Sequence, residues 1–249
     1  MIYWVNMQTK DFKDIYNNVV KDKFKGDYEY NRWFKDVLAR SGYEMTRQAI
    51  ERHFLSGLEF TNYLEVGPGP GTWTALFLEK NNQARFSLVD ISAEMLKLAK
   101  EKLAAYQQIN FFETDFFEFL DNNRYDLFFS SRAIEYFPDK NEFLKKISNL
   151  LVGGGKGFIV TKTPRYWSYK IMGREVPAMH RGQISPREME KLLLKNNFTK
   201  IGFYPAVMIF PFLKSAWLNR ILYKIFGGFR LNFLSQQFCE SYCVKFTRQ

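Results

Sequence analysis

The chain has 249 residues, of which 46% are hydrophobic, 25% charged and 18% aromatic. That length suits one large α/β domain with additions and is enough to bury a substantial core. Two cysteines, Cys239 and Cys243, are too few for a disulfide framework, and with two histidines in the chain no metal site is expected.

The opening residues, MIYWVNMQTKDFKD, lack the basic start, apolar core and small-residue cleavage site of a secretory signal. The longest uncharged apolar stretch, residues 201–213, contains Gly202, Pro205 and Pro211 and falls well short of the ~20 residues a bilayer span needs. The expectation is a reducing, cytoplasmic setting, with peripheral attachment to a membrane left open. Net charge is +10, and residues 161–249 carry all of it, with fifteen Lys/Arg against four acids. Between Glu190 and Glu240 there are seven basic residues and no acid. A field this one-sided points to an anionic partner, either a membrane or a nucleic acid.

Residues 1–58 read as a helical N-terminal cap rich in aromatics, among them Tyr28, Tyr30, Trp33, Phe34 and Tyr43. From residue 59 onward, short apolar runs alternate with helical periodicity. Strands are predicted at 62–67, 85–91, 109–114, 125–130 and 157–162, with helices at 72–80, 93–105, 140–151 and 185–196. Ser92 suits a helix cap. Ser185-Pro186-Arg187-Glu188 combines a cap, a first-turn proline and a capping-box glutamate. A sixth strand is predicted at 200–210 and a seventh at 240–247, the latter with Tyr242, Val244 and Phe246 alternating. The fold class is therefore α/β: a doubly wound, Rossmann-like sheet of seven mostly parallel strands. An insertion at about 211–239 separates the last two strands.

The stretch YLEVGPGPG at 63–71 turns the first strand into a helix through Gly67, Gly69 and Gly71. Glycines there let backbone approach a ligand closely, although such a turn can also serve structure alone. The spacing departs from the dinucleotide fingerprint G-x-G-x-x-G, because Thr72 stands at the third position, and no P-loop Lys-Ser/Thr follows. Glu65, just before the glycines, would repel a pyrophosphate and suit a cationic ligand. Asp90, with Ile91 beside it, ends the second strand where an acid grips ribose hydroxyls. Asp115 follows the third strand, placed to accept from an adenine amino group while Phe116 covers the ring. Three acids at neighbouring strand ends predict one acidic crevice in a basic protein.

These motifs, together with YDLFFSSRAIEYFPD and LLVGGGKGFIVTKTP, resemble those of class I S-adenosylmethionine-dependent methyltransferases, closest to the small-molecule, lipid and quinone group. The resemblance covers residues 60–165 well and 185–198 moderately. It implies that the Glu65–Gly71 loop holds the methionine portion of S-adenosylmethionine, Asp90 the ribose, and Asp115 with Phe116 the adenine. Ser130 and Ser131 would line the methionine and sulfonium end, and the last strand would run antiparallel.

The acceptor is less legible. The segment SSRAIEYF lacks the Asn/Asp-Pro-Pro-Tyr/Phe run of amino-directed nucleic-acid methyltransferases. Methyl transfer from a sulfonium depends chiefly on positioning, and a base is needed only when the acceptor must lose a proton. His180 is the natural candidate base, or else a loop residue ordering the following cap; Glu135 is a second. Tyr136 could face the acceptor, and Arg165 and Arg181 could bind an anionic one. His53 is expected simply to sit on a helix face. In the insertion, Trp217, Leu218, Ile221, Leu222 and Ile225 share one helical face flanked by Arg220 and Lys224, the pattern of an interfacial helix or of one packed on the sheet. Residues 208–234 are thus the expected contact with an anionic membrane. The expected activity is O- or C-methylation of a small hydrophobic or lipid-linked acceptor. The alternatives are an RNA methyltransferase and a non-catalytic S-adenosylmethionine-binding module, with a nicotinamide oxidoreductase disfavoured by Glu65.

Overall fold

The computed structural model describes residues 27–164, 182–210 and 213–249. Seven strands form one sheet: β1 (Asn62–Val66), β2 (Arg85–Asp90), β3 (Ile109–Glu113), β4 (Tyr125–Ser131), β5 (Leu151–Lys162), β6 (Phe198–Met208) and β7 (Cys239–Arg248). Their spatial order is β3-β2-β1-β4-β5-β7-β6, with β7 antiparallel to both neighbours and the other pairings parallel. The helices are α1 (Val37–Ile50), α2 (Thr74–Lys80), α3 (Ala93–Lys102), α4 (Lys140–Leu150), α5 (Pro186–Lys195), α6 (Ala216–Phe226) and α7 (Phe233–Phe238).

Strand alternation divides the core into two layers. Tyr63, Phe86, Leu88, Leu127, Phe129 and Phe158 point to the face covered by α1, α2 and α6. Leu64, Val66, Val89, Phe128, Ile159 and Val244 point to the face covered by α4 and α5. Both faces are apolar because both are buried, which is why the central strands read as continuous hydrophobic runs.

Local chemistry sets the helix starts. Asp36 accepts from the Leu38 and Ala39 amides at 2.8 and 3.0 Å, Ser92 from Met95, and Asp139 from Glu142. Ser185 and Glu188 form the expected reciprocal capping box with Pro186 in the first turn. The main departure from the predicted elements is β5, which begins six residues earlier than expected. Gly153, Gly154 and Gly155 suggest a turn, yet the backbone continues as strand across them. A side chain at Gly157 would lie 2.1 Å from the Phe246 ring, so glycine there admits the aromatic over the strand.

Of the expected N-terminal cap, residues 27–58 are described. α1 lies on the sheet against β6 and α6, burying Met45, Ala49 and Ile50. His53 does more than occupy a helix face. Its Nε2 donates to the Gly227 carbonyl at 2.7 Å and its ring stacks on Tyr204 at 4.0 Å. Burial holds this imidazole below its ordinary pKa. Cys239 and Cys243 are free and buried in β7.

Candidate active site

The strand order reverses between β1 and β4, and at their C-terminal ends lies a crevice, the position where doubly wound sheets take ligands. Gly67, Gly69, Asp90, Ile91, Asp115 and Phe116 line it, with Ser131 and Tyr136 on the β4 side. Tyr28, Arg32 and Trp33 close it from the N-terminal segment.

The glycines have separate physical reasons. All three have positive φ: 72° at Gly67, 55° at Gly69 and 77° at Gly71. A Cβ on Gly67 would stand 2.6 Å from the Ala133 Cβ, so the loop can pass the β4 side only without one. Gly69 has open space around it and donates its amide to Asp90 Oδ2 at 3.2 Å. Gly71 does not line the crevice. Its Cα faces Leu103, where a Cβ would be 2.9 Å from Cδ1, so this glycine serves loop packing.

Asp90 Oδ1 accepts from the Ser92 amide at 2.9 Å, and the Ile91 amide also interacts with the carboxylate, which keeps acceptor capacity toward the crevice. Burial raises its pKa to about 6 against the pull of those amides. Asp115 uses Oδ1 to accept from the Phe117 amide at 2.8 Å, leaving its second oxygen for an amino donor. Phe116 is buried beside it against Phe119, Phe137 and Phe143. Thr72 also lines the crevice, and its buried hydroxyl has no hydrogen-bond partner among the described residues.

Four expected positions differ in the structure. Glu65 does not wall the crevice; it is fully buried beneath the glycine loop, where Oε2 accepts from Tyr63 at 2.8 Å and Thr74 at 2.7 Å. Burial raises its pKa to about 7, and Oε1 has no hydrogen-bond partner among the described residues. The acidic wall is therefore two carboxylates, Asp90 and Asp115. Ser130 is buried and donates to the Val66 carbonyl at 2.9 Å, tying β4 to β1. Glu135 faces inward as well: it accepts from the Lys162 amide at 2.8 Å and the Thr161 hydroxyl at 3.1 Å. A carboxylate occupied in this way does not reach an acceptor. The helical face predicted in the insertion also splits, because Leu222 and Phe226 pack on the core while Trp217 and Ile225 are exposed. Arg220 is engaged by Glu44 at 2.9 and 3.1 Å.

His180, Arg165 and Arg181 lie outside the described residues. A Cβ at Gly182, the first described residue after them, would fall 1.8 Å from the Glu135 carbonyl oxygen, so Gly182 lies directly against the turn after β4. Tyr28, Arg32, Trp33, Thr72 and Arg132 were not among the site residues expected from sequence. No spacing rule links residues 28–33 to a loop some forty positions later.

The residues fit a nucleoside that carries positive charge and no phosphate. Paired acceptors stand at Asp90 and a further acceptor at Asp115. An apolar ring lies beside them, the glycine loop turns through positive φ, and the buried Thr72 hydroxyl in the crevice wall has no partner among the described residues. Residues 64–156 match the family described as Methyltransferase domain. Over those residues the chain is similar to methyltransferase domains. Over 115 residues it is 34% identical to malonyl-[acyl-carrier protein] O-methyltransferase 1 of Ilyobacter polytropus, 43% of each chain. Over 120 residues it is 31% identical to a trans-aconitate 2-methyltransferase of Enterobacter, covering 48% of this chain and 46% of that one. The match thus spans less than half the length of these curated methyltransferases. In fold, a magnesium protoporphyrin IX methyltransferase from Synechocystis with bound S-adenosylhomocysteine superposes with a TM-score of 0.62. It is 14% identical, over 96% of this chain and 99% of that one. Among the described residues, no group of three or more His, Cys, Asp or Glu is placed to hold a metal, and no helix is long and apolar enough to cross a membrane.

Proposed function

We propose that this chain binds S-adenosylmethionine in the crevice and methylates a small, largely apolar acceptor held next to it. The observation that carries this reading is the convergence of the Gly67–Gly69 turn, Asp90 and Asp115 on one cavity at the sheet's switch point. S-adenosylmethionine supplies, when bound, a methyl group already activated on a sulfonium.

What the chain's own residues contribute is positioning. Asp90 offers its carboxylate to ribose hydroxyls, Asp115 an oxygen to an exocyclic amine, and Phe116 an apolar face. Trp33 and Tyr136 exclude water from the opposite wall. Ionised Asp90 and Asp115 favour a cation in the crevice, which a diphosphate would oppose. With Glu135 occupied internally, the described residues offer no evident general base toward an acceptor. O-methylation of an ionised oxygen would need none, and His180 stays the candidate for an acceptor that must first lose a proton. Incubation with labelled S-adenosylmethionine and fractionated lipids, metabolites and RNA tests the reading. Label entering a small apolar fraction supports it, and label entering RNA alone or nothing at all counts against it.

We also propose that the C-terminal insertion meets an anionic membrane surface. Trp217 and Phe229 are each 68% exposed and Phe233 83%, joined by Leu213, Ile225 and Leu234. Lys214, Lys224 and Arg230 are exposed among them, and no acid occurs between Glu190 and Glu240. Three of these apolar groups are aliphatic, which suits acyl chains better than stacked bases. Flotation with anionic vesicles at low salt should carry the protein upward. Lys214→Gln/Lys224→Gln/Arg230→Gln should leave it at the bottom, and equal flotation of both would refute the charge argument.

A further inference from the structure

Beside the crevice lies a second cavity of about 550 Å³, within the range of small-molecule sites. The two share Arg32, Trp33, Trp73, Ser131 and Arg132, so they meet at the end of β4. From that junction the second cavity runs between α1 and the end of β6. Its walls include Leu38, Met45, Val160, Val207, Ile209 and Phe210. Leu213 and Lys214, at the start of the insertion, also line it, and both are exposed.

Polarity is unevenly placed: two arginines stand at the junction, and the wall beyond it is mainly apolar, interrupted by Thr46, Lys214, Asn219 and Glu240. Arg32 lies over the Trp33 ring at 4.7 Å and has no carboxylate partner among the described residues. Arg132 is held by unusual means. Its φ is 64°, a conformation that non-glycine residues seldom adopt, and its amide is anchored to the Val160 carbonyl at 2.8 Å. Its guanidinium donates to Ser241 at 3.1 Å and stands 3.5 Å from the buried Glu135 carboxylate. Backbone strain persists where the surroundings over-determine it, and such residues gather at functional sites. Glu240, the carboxylate that lines this cavity, is neutralised by Lys162 at 3.4 Å.

We infer that this second cavity is the acceptor site, and that the acceptor is an amphipathic carboxylate. Its head is bound by Arg32 and Arg132 at the junction, and its acyl tail lies along the apolar wall toward Leu213. The inference rests on the methyltransferase reading and names its substrate class. In the transfer, a carboxylate oxygen lone pair forms the new O–CH₃ bond while the S–CH₃ bond breaks and its electron pair stays on sulfur. The products are a methyl ester and S-adenosylhomocysteine, and no proton moves, in keeping with Glu135 being occupied. Glu135 is a positioning residue that acts through Arg132.

Calorimetry on the full chain separates this inference from the reading beneath it. The protein is first titrated with S-adenosylhomocysteine, then, so loaded, with dodecanoate, dodecanol and acetate below micellar concentrations. Dodecanoate is expected to bind at least about tenfold more tightly than dodecanol, the worth of a charge-assisted pair, with acetate weaker still. Arg132→Gln should erase the preference for dodecanoate over dodecanol. Ala39→Trp, at a position that lines only the second cavity, should lose dodecanoate while retaining S-adenosylhomocysteine. S-adenosylhomocysteine binding without any preference for dodecanoate would overturn the inference and leave the methyltransferase reading standing. Failure of S-adenosylhomocysteine itself to bind would overturn both.

Discussion

The substitution Gly67→Ala isolates the geometry on which the crevice depends. It adds one methyl group where φ is 72° and where that methyl would lie 2.6 Å from the Ala133 Cβ. Placing an alanine in the left-handed region costs about 1–2 kcal/mol. Forcing a methyl into a filled space adds about 1–3 kcal/mol. Together these predict a loss of roughly 2–5 kcal/mol, read as a lower urea midpoint at unchanged slope. Gly69→Ala provides the control: φ is 55° but nothing lies within 4 Å of the added Cβ, so only the backbone cost of about 1–2 kcal/mol applies. The double variant Gly67→Ala/Ala133→Gly removes the colliding partner and should recover the clash component while keeping the backbone one. A Gly67→Ala protein as stable as the parent, or a double variant no better than the single, would refute the reasoning.

Three further outcomes are expected. Asp90, with a folded pKa of about 6 against an ordinary 3.8, carries more protons in the folded state between those values, so its contribution to stability falls as pH rises through that window. Affinity for S-adenosylhomocysteine should rise over the same window, by no more than about tenfold per pH unit, and level off above it; Asp90→Asn should flatten the profile. Glu65, raised to about 7, likewise costs stability as pH climbs from about 4.5 to 7, and Glu65→Gln should remove a slope worth on the order of 3 kcal/mol in urea titrations across that range. Glu135→Gln should lower transfer activity without changing the shape of the pH–rate profile, because the carboxylate holds Arg132 and moves no proton; loss of a titrating limb would mark it as a base instead.

Much of the fold was legible because strand and helix periods alternate cleanly from residue 62 onward, with caps such as Ser92 and Ser185 marking helix starts. The early start of β5 was hidden because three consecutive glycines resemble a turn; they sit in an irregularity of the ladder, between the Tyr125–Leu151 pair and its resumption at Leu127–Lys156. For the site, glycine spacing and strand-end acids placed Asp90, Asp115 and Phe116 on the crevice. Glu65 has the same pattern in sequence, but its strand position directs it to the buried face with Tyr63 and Thr74. Alternation along β1 puts Glu65 on the same face as Tyr63, whereas Asp90 and Asp115 stand at or beyond the ends of their strands. Arg132 and the residues from 28 to 33 were illegible for another reason: they reach the crevice through tertiary packing and a strained φ, neither of which leaves a local motif. The insertion's apolar stripe was visible, but its division between core and solvent depended on where α1 and β6 lie.

The central claim is that two carboxylates and a glycine turn form a seat for a phosphate-free nucleoside. Calorimetric titration of the full chain with S-adenosylhomocysteine and with NAD addresses it most directly. Saturable one-site binding of S-adenosylhomocysteine, lost in Asp90→Ala and absent for NAD, is the predicted result. Binding of NAD in its place, or S-adenosylhomocysteine affinity unaltered by Asp90→Ala, would contradict it.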